Sequence, residues 1–457
     1  MNEQQPPANP AEHTAAKRTV VPAVVIGSAL EWFDFYIFAS MAALVLGKVF
    51  FPTYSSVAGT LASIATFAVG FIVRPLGAMF FGYLGDKIGR KHVLALTFLM
   101  MGGSTGLIGL IPSYETIGVL APVLLVVFRL GQGFAAGAEF ASAVAVAYEH
   151  AGVSTRGRFG SLPALGVNIG LFASSLTVTL LTSMDDAALE GWAWRIPFLA
   201  SFVLVGFGYW VRRQMPETPD FERVSDRSTR RAGAKPFRDL FRTDWRGMGA
   251  VSLVVVGYLS ASYLFKTFSL TYLAEFRGME ANVGAFGVTL ASAVAILSVP
   301  IAGRFADRWN ARLVLLGGAA GIAVLALPFL WALDHGTPVL IWAVFVLTTG
   351  ITIPMMLAAQ GTYFAAQFPT QVRVTGIGTA KETSSIVGGF APFIAVALIT
   401  MTPDNSSWPV ALMFGVCVVS VILGALLDQQ RNVEERTNGE QRMVTADAGQ
   451  PPLGERS

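Results

Sequence analysis

The chain has 457 residues, of which 53% are hydrophobic and only 13% are charged, and its mean hydropathy is +0.58. Because soluble domains carry about 25% charged residues, this composition excludes an ordinary soluble domain and indicates a protein that lies in a lipid bilayer. The net charge of +3 gives no sign of a nucleic-acid partner, and the single cysteine, Cys417, excludes both an intrachain disulfide and a metal site built on cysteine pairs.

Six apolar stretches fill the first half of the chain. Residues 1–20 precede them as a polar stretch without an apolar core, which predicts a cytoplasmic tail and not a cleaved signal peptide. A membrane-spanning helix needs about 20 predominantly apolar residues. We place such helices at about 21–45, 57–81, 92–111, 118–147, 160–183 and 193–211. Together they predict a first six-helix bundle over residues 21–211.

The second half repeats this pattern. A basic stretch at 212–246 predicts a cytoplasmic linker between the two halves. The second set of apolar stretches lies at about 247–271, 283–303, 313–333, 338–362, 375–400 and 408–427, and predicts a second six-helix bundle over residues 247–427. The polar residues 428–457 show no heptads and predict a disordered cytoplasmic tail.

Lysines and arginines fix the predicted orientation. They are concentrated before the first stretch, after the second, after the fourth and in the linker, whereas the alternate loops hold almost none. Cytoplasmic loops carry an excess of these bases. An even number of helices with both termini in the cytoplasm satisfies this pattern throughout, and it predicts a multi-pass protein of the cell membrane.

A short charged connection at 82–91 follows the second apolar stretch and combines one acid, three bases and several glycines. A weaker version recurs at 303–312, again after an apolar stretch. A charged hinge at matching places in two halves predicts a transporter built from two related bundles. The simpler alternative is a basic loop that only sets the orientation of the helices. We assign a gating role to Gly82, Asp86, Arg90 and Asp307.

Three motifs resemble those of one transporter family. Residues 82–94 resemble the signature loop between helices two and three of the major facilitator superfamily, and residues 129–133, Arg-Leu-Gly-Gln-Gly, resemble its helix-four motif. Residues 31–35, Glu-Trp-Phe-Asp-Phe, resemble the first-helix signature of its metabolite:proton symporter family. The resemblance covers about residues 20–427. It implies the major facilitator fold, an all-α membrane protein with twelve transmembrane helices in two six-helix bundles and both termini cytoplasmic.

The second charged connection departs from the superfamily pattern, with Asn310 and Ala311 where glycine and arginine are usual. This departure makes the gating role of Asp307 less secure than that of the first connection. Members of the metabolite:proton symporter family carry shikimate, α-ketoglutarate, citrate, aromatic acids, or proline and betaine, so the resemblance implies a class of transporter but not a substrate.

Ionisable residues inside the predicted helices are candidates for proton coupling, because a charge near the bilayer centre is tolerated only where it is paired or faces water. Glu31 and Asp34 share one face of the first helix. With the support of the resemblance, we predict that Asp34 carries the coupling proton and that Arg129 is its partner, while Glu31 stays an alternative carrier. A permanent buried salt bridge between the first and fourth helices is the structural alternative. Glu139 is either a further coupling group or a packing carboxylate.

The remaining intramembrane charges are candidates for substrate binding. Arg74 and Lys266 offer positive charge for an anion. Arg74 could instead bridge to the charged connection at 82–91, and Lys266 could extend to the outer headgroups. Lys381 and Glu382 are neighbours whose side chains diverge by about 100° on a helix, and they form either part of the site or an internal ion pair. Further residues predicted to contact the substrate are Gln132, Trp32, Tyr36, Tyr263 and Asn168.

These observations favour a proton-coupled importer of a small polar metabolite, most simply an organic anion such as a shikimate-like, aromatic or dicarboxylic acid. An importer of zwitterionic osmolytes and a proton-driven efflux antiporter are the alternatives. No paired histidines, nucleophile elbow or phosphate loop is present in the sequence, so we predict neither an enzyme nor a metal site. The predicted partners are the substrate, protons and the bilayer, with no cofactor, and we predict a monomer.

Overall fold

The structure, a computed structural model, describes residues 10–88, 90–137, 139–149, 151–213, 244–368 and 373–428. Every regular secondary-structure element within these ranges is a helix, which confirms the predicted all-α class. Most of the predicted linker at 212–246, all but the first residue of the tail at 428–457 and the start of the chain lie outside the described residues.

Six long helices form the first half of the molecule. Two of them are interrupted, so each is given as two segments. The helices are α1 (Pro10–Leu44), α2 (Ser56–Ile72 and Arg74–Ile88), α3 (Arg90–Leu110), α4 (Leu120–Ala136 and Glu139–Glu149), α5 (Arg156–Thr182) and α6 (Arg195–Arg213).

The second half contains six more. They are α7 (Trp245–Phe276), α8 (Ala281–Arg308), α9 (Ala311–His335), α10 (Pro338–Ala366), α11 (Arg373–Ile399) and α12 (Pro409–Leu426). Each of the twelve apolar stretches that the sequence predicts therefore lies in a helix.

Ten helices of the described ranges are long and apolar enough to cross a membrane. The apolar part of α3, Leu96–Leu110, is shorter than the others. The helix α6 bends by 40° from a preceding segment, Asp186–Ala193, and the two count as an eleventh span when they are taken together. The structure thus agrees with the predicted set of twelve, with α3 and α6 as its less regular members.

Glycines bring neighbouring helices into backbone contact. A Cβ atom on Gly170 of α5 would lie 2.2 Å from the carbonyl oxygen of Ala29 in α1, and one on Gly133 of α4 would lie 1.9 Å from that of Gly70 in α2. Small residues permit such close packing in lipid, where no hydrophobic effect drives helices together. The first six helices pack mainly on one another, as do the last six, and the halves meet chiefly where α5 packs on α8 and α2 on α11. The exact domain boundaries stay a prediction.

Two helices of the second half contain widened, π-helical turns. In α7 these turns are Leu264–Phe268 and Tyr272–Phe276, and in α10 the turn is Val346–Thr352. Such turns often occur at functional sites. The first of them carries Lys266, which turns this lysine towards α1.

Candidate functional site

Four charged side chains meet between the two halves of the molecule. Arg74 of α2 lies with its Nε 2.8 Å from Oε2 of Glu382 in α11, and its Nη2 lies 3.8 Å from Oε1 of Glu31 in α1. Lys381 lies with its Nζ 2.6 Å from the other oxygen of Glu382. All four are buried, with Arg74 and Glu382 each only 1% exposed. The two acids and two bases therefore form a neutral cluster, which offsets much of the cost of burying each charge.

Aromatic rings surround the cations of this cluster. The guanidinium of Arg74 lies 5.2 Å from the ring centroid of Phe35 and 5.4 Å from that of Phe71. The ammonium of Lys381 lies 4.6 Å from the ring centroid of Phe140. Because a ring face attracts a cation, these contacts add to the ion pairs. The predicted internal ion pair of Lys381 and Glu382 is thus present, within a larger cluster.

Asp34 lies three residues after Glu31 in α1 but takes no part in the ion pairs of this cluster. Its Oδ1 accepts a hydrogen bond of 2.6 Å from the hydroxyl of Ser201 in α6. Within the described part of the chain, Asp34 and Arg129 form no ion pair with each other, so the predicted partnership is not formed in this conformation. The carboxylate of Asp34 faces the Ser201 hydroxyl of α6 and lies next to Gly102 of α3, where a Cβ atom would be 3.4 Å from its Oδ2.

Arg129 is instead held by aromatic rings and amides. It donates hydrogen bonds to the side-chain oxygen of Gln132 and, at 3.3 Å, to the carbonyl oxygen of Phe67. Its guanidinium lies 4.3 Å from the ring centroid of Phe35 and 4.4 Å from that of Phe38. Gln132 is thereby fixed next to Arg129, and both side chains are fully buried.

Lys266 is a buried lysine with no carboxylate within ion-pair distance among the described residues. Its Nζ donates a hydrogen bond of 3.2 Å to the hydroxyl of Ser262 and lies 5.2 Å from the ring centroid of Tyr36 in α1. It is 5% exposed, so it does not extend to the headgroups in this conformation. Lys266 therefore places a buried amino group, with no carboxylate partner among the described residues, between α7 of the second half and α1 of the first.

Other predicted contact residues lie around the same interface. The rings of Trp32 and Tyr36 pack at 5.4 Å between centroids, and Tyr263 packs on Phe67 at 5.1 Å. The Trp32 indole nitrogen and the Tyr263 hydroxyl are buried without a hydrogen-bond partner among the described residues. Buried polar groups are rarely left unsatisfied, and these two are open to a ligand.

Two predicted residues are placed differently. Asn168 of α5 is buried, but its amide donates a hydrogen bond of 2.7 Å to the carbonyl oxygen of Ala164 in its own helix. Glu139 begins the second segment of α4 and is buried at 3% exposure. The ion pairs of the charge cluster join Arg74, Glu31, Lys381 and Glu382. The functional roles of Asn168 and Glu139 stay predictions.

One end of the molecule is closed by Asp307, and we call it the Asp307 end. The Asp307 carboxylate of α8 accepts a hydrogen bond of 2.6 Å from the backbone N–H of Gly157, at the start of α5, and one of 2.7 Å from Nε of Arg158. Nearby, the Thr362 hydroxyl of α10 donates to the carbonyl oxygen of Arg156 at 2.9 Å. The acid of the second charged connection thus joins the two halves, even though that connection departs from the family pattern.

The first charged connection, residues 82–91, includes the end of α2 and the start of α3. Gly82 and Asp86 belong to α2, and Arg90 begins α3. Their side chains lie outside the described part of the structure, so the gating roles of Gly82, Asp86 and Arg90 stay predictions.

The opposite end is closed by Glu275, and we call it the Glu275 end. Glu275, in the last turn of α7, accepts hydrogen bonds from the hydroxyls of Ser56 and Thr60 in α2, the latter at 3.3 Å. The hydroxyls of Thr179, near the end of α5, and of Thr289 in α8 also join the two halves, 2.8 Å apart. The sequence analysis did not predict a role for Glu275. The sequence feature that could have indicated one is an acid just after an apolar stretch.

A surface cavity of about 300 Å³ lies beside this end and is lined in part by Lys48, Tyr54, Ser56 and Glu190. Lys48 and Glu190 form an ion pair of 2.8 Å in which both side chains are largely exposed. The hydrogen bond to Glu190 raises the pKa of Lys48 above its ordinary value. This pair belongs to one half of the molecule and does not bridge the halves.

With both ends closed, the polar residues between the halves are shut off from solvent. Contacts at both ends that could open separately are what a carrier needs if it is to expose an interior site to each side in turn. Within the described residues, no group of three or more histidine, cysteine, aspartate or glutamate side chains is arranged to hold a metal ion. The chemistry that the site supports is therefore binding by charge, hydroxyl groups and aromatic rings, together with proton exchange at carboxylates.

Comparison with known proteins gives consistent results. The chain matches the model of the Major Facilitator Superfamily over residues 24–392 and 267–453. It is 36% identical over 413 residues to the shikimate transporter of Escherichia coli (strain K12), an alignment that covers 89% of this chain and 93% of that protein. It is 32% identical over 424 residues to the proline/betaine transporter of the same strain, which covers 91% of this chain and 84% of that protein.

Solved structures with the same fold include the proton:xylose symporter XylE bound to 6-bromo-6-deoxy-D-glucose. It superposes with a TM-score of 0.69 at 15% sequence identity and covers 91% of this chain and 95% of that one. A partially occluded, inward-open structure of XylE from E. coli superposes with a TM-score of 0.65 over 89% of this chain and 96% of that one. At this level of identity the likeness concerns the fold.

Proposed function

Because the chain belongs to the major facilitator superfamily, we propose that it imports a small organic anion together with protons by alternating access. It is a metabolite transporter and not an enzyme, and it is a multi-pass protein of the cell membrane. What it carries and how it is driven are the subject of the proposal, as are the cytoplasmic location of both termini and the monomeric state.

The observation that carries the proposal is the position of Lys266. Its amino group lies between α1 and α7, and among the described residues its polar contacts are one hydrogen bond to the Ser262 hydroxyl and the face of the Tyr36 ring. In a medium of low dielectric constant, an uncompensated cation attracts an anion strongly. Arg74 and Lys381, by contrast, already face carboxylates in this conformation. Lys266 is therefore the cation that is open to the substrate carboxylate.

Nearby groups suit the rest of a hydroxylated or aromatic acid. Trp32 and Tyr36 offer ring faces beside Lys266, and the free indole N–H of Trp32 and the hydroxyl of Tyr263 are available to bind oxygen atoms. The shikimate transporter that resembles this chain supports an acid of this kind. The roles of Gln132 and Asn168 in binding stay predictions.

Asp34 is the better of the two candidate proton carriers. The Asp34 carboxyl accepts a hydrogen bond from Ser201 and faces no cation within ion-pair distance in the described part of the chain, whereas Glu31 faces Arg74. A buried carboxylate next to an arginine keeps its charge, and one without a cation binds a proton more readily. Arg129 is held on rings and on the Gln132 amide, which in turn donates a hydrogen bond of 2.9 Å to the Thr105 hydroxyl of α3. In the proposal, Arg129 is a neighbouring cation that approaches Asp34 in another conformation.

A zwitterionic osmolyte is the second candidate. A carboxylate on Lys266 would place a quaternary ammonium group near the Trp32 and Tyr36 rings, which attract such cations. The proline/betaine transporter that resembles this chain supports this alternative.

Uptake into proteoliposomes under an imposed pH gradient tests the proposal. We expect accumulation of a shikimate-like, aromatic or dicarboxylic acid when the outside is acidic, and its loss when a protonophore removes the gradient. Accumulation of proline or betaine with no uptake of any acid would favour the second candidate. Uptake that is indifferent to the gradient would contradict proton coupling.

Substitution of Lys266 tests the anion site. Lys266→Gln should lower the apparent affinity for the acid by tenfold or more, since an ion pair with a buried cation is lost, while Lys266→Arg should retain most of it. Lys48→Gln is the matched control. Lys48 is paired with Glu190 at the surface, so its substitution should leave the affinity for the acid unchanged. Equal affinities in Lys266→Gln and the parent would exclude Lys266 from the anion site.

A further inference from the structure

The four-charge cluster has an arrangement that bears on how the carrier opens. Arg74 and Glu31 both belong to the first half, on α2 and α1, and Lys381 and Glu382 are adjacent on α11 of the second half. Each half thus contributes one acid and one base. The only contact of the cluster that crosses between the halves at ion-pair distance in the described residues is Arg74 with Glu382.

From this arrangement we propose that the cluster is a gate made of two self-neutralising pairs. When the halves part, Arg74 keeps Glu31 and Glu382 keeps Lys381, so the bridge breaks without leaving an unpaired charge in the membrane. Breaking an ordinary buried salt bridge leaves such a charge and is strongly unfavourable. The proposal rests on the transport function proposed above, and it makes Arg74, Glu31, Lys381 and Glu382 positioning residues of the transport cycle.

The position of the cluster along the helices identifies which end it closes. Lys266 is ten residues before the Glu275 end of α7, about 15 Å at the rise of an α-helix. The start of α2 lies at the same end, and Arg74 is 18 residues, or about 27 Å, further along that helix. The cluster therefore lies on the Asp307 side of Lys266, where it separates the anion site from the Asp307 end.

Lys381→Met provides the test. It removes the base that Glu382 would keep on opening, so Glu382 depends on Arg74 alone and the bridge becomes harder to break. We expect substrate exchange, measured with radiolabelled shikimate in proteoliposomes that hold unlabelled shikimate, to slow by tenfold or more. Lys381→Met/Glu382→Gln removes the whole α11 pair and leaves Arg74 with Glu31. We expect this double variant to recover exchange to within about threefold of the parent.

A distance measurement reports on the gate without any substrate. Spin labels at Ser154 and Asn310 flank the contact of Gly157 with Asp307 and are both exposed. They are introduced with Cys417→Ala, which removes the single cysteine. We expect Lys381→Met to enrich the short distance and the double variant to shift the population towards longer ones.

The results separate this gate from other roles. If Lys381 bound the substrate, the double variant would be as slow as the single one, and the proposal would be overturned. Unchanged exchange and unchanged distances in Lys381→Met would overturn it as well. Lys381→Arg keeps the positive charge and should behave like the parent, which shows that the site tolerates substitution. If the parent transports none of the shikimate-like, aromatic and dicarboxylic acids, the proposed substrate class fails, and the distances still decide whether the gate exists.

Discussion

Asp34 has a hydroxyl and not a cation at its carboxyl group, and this environment leads to a specific expectation. Asp34→Asn keeps the hydrogen bond with Ser201 possible but removes the group that binds and releases a proton. We expect proton-driven accumulation of the acid to fall to the equilibrium level, a loss of tenfold or more. Exchange between labelled and unlabelled acid requires no net proton movement and should stay within about threefold of the parent.

Accumulation and exchange are measured in the same proteoliposomes for this variant. Asp185→Asn serves as the control, since Asp185 is an exposed acid that caps a short helix outside the membrane spans. Full uphill uptake by Asp34→Asn would remove Asp34 from the coupling mechanism and would turn attention to Glu31.

At the scale of residues, the sequence could identify the charged positions but not their partners. Glu31, Arg74 and Lys266 are recognisable because acids and bases are rare inside apolar stretches. Partners depend on how each helix is rotated about its axis and on the direction of each Cα–Cβ bond, and neither follows from spacing alone. Asp34 faces Ser201 for this reason, and Arg129 faces the rings of the first half.

The pair Lys381–Glu382 also shows that spacing along the sequence does not determine side-chain partners. A divergence of about 100° between adjacent helical residues argues against a shared face. The two side chains are long enough to meet at 2.6 Å all the same, because Arg74 draws Glu382 towards the interface and Phe140 supports Lys381. The position of Arg74 on α2, next to Glu382 of α11, could not be predicted from the sequence.

At the scale of helices, the Asp307 end depends on close backbone contact between α5 and α10. A Cβ atom on Gly361 would lie 2.1 Å from the carbonyl oxygen of Gly160, which no side-chain movement can relieve. Gly361→Ala should therefore destabilise the closed Asp307 end by about 1–3 kcal/mol, the usual cost of overpacking. We expect a lower thermal unfolding temperature and a longer distance between the Ser154 and Asn310 labels.

Gly317→Ala provides the matched control for this substitution. Gly317 lies in α9, and a Cβ atom there would meet no packing neighbour within 4 Å. An alanine in the middle of a helix is favoured over glycine by roughly 0.5–1 kcal/mol, so this variant should be as stable as the parent or slightly more stable. Equal unfolding temperatures and distances for the two variants would show that the α5–α10 contact does not hold the end closed.

The positions of the helices were largely predictable from the sequence, and most of their irregularities were not. Hydrophobic length alone located all twelve, because each must satisfy its backbone polar groups within the membrane. The break at Val73 in α2 lies two residues before Pro75, which marks it in the sequence, whereas the π-helical turns of α7 carry no such mark. They arise from local changes in the hydrogen-bonding register, which packing against neighbouring helices selects.

At the scale of the whole molecule, each end is closed by an acid from the second half. Asp307 of α8 binds the start of α5, and Glu275 of α7 binds the start of α2. A carrier that alternates must break one of these contacts while it keeps the other, so each acid should be released in only one of the two open conformations. The sequence predicted the role of Asp307 from its repeated loop, whereas Glu275 lies in no repeat.

A cross-link at the Glu275 end tests this alternation. Ser56→Cys with Glu275→Cys, in the Cys417→Ala background, joins α2 to α7 when a short thiol-specific cross-linker is added. We expect both net uptake and exchange to stop, since the substrate cannot enter from that side, and both to return when a reducible cross-linker is cleaved.

Lys48→Cys with Glu190→Cys is the control at the same end of the molecule. These two residues are also in direct contact, at 2.8 Å, but both belong to the first half. A cross-link between them leaves the halves free to move, so transport should continue at a rate close to that of the parent. Transport that survives the Ser56–Glu275 cross-link, or that stops equally with both cross-links, would show that separation of α2 from α7 is not what opens the carrier.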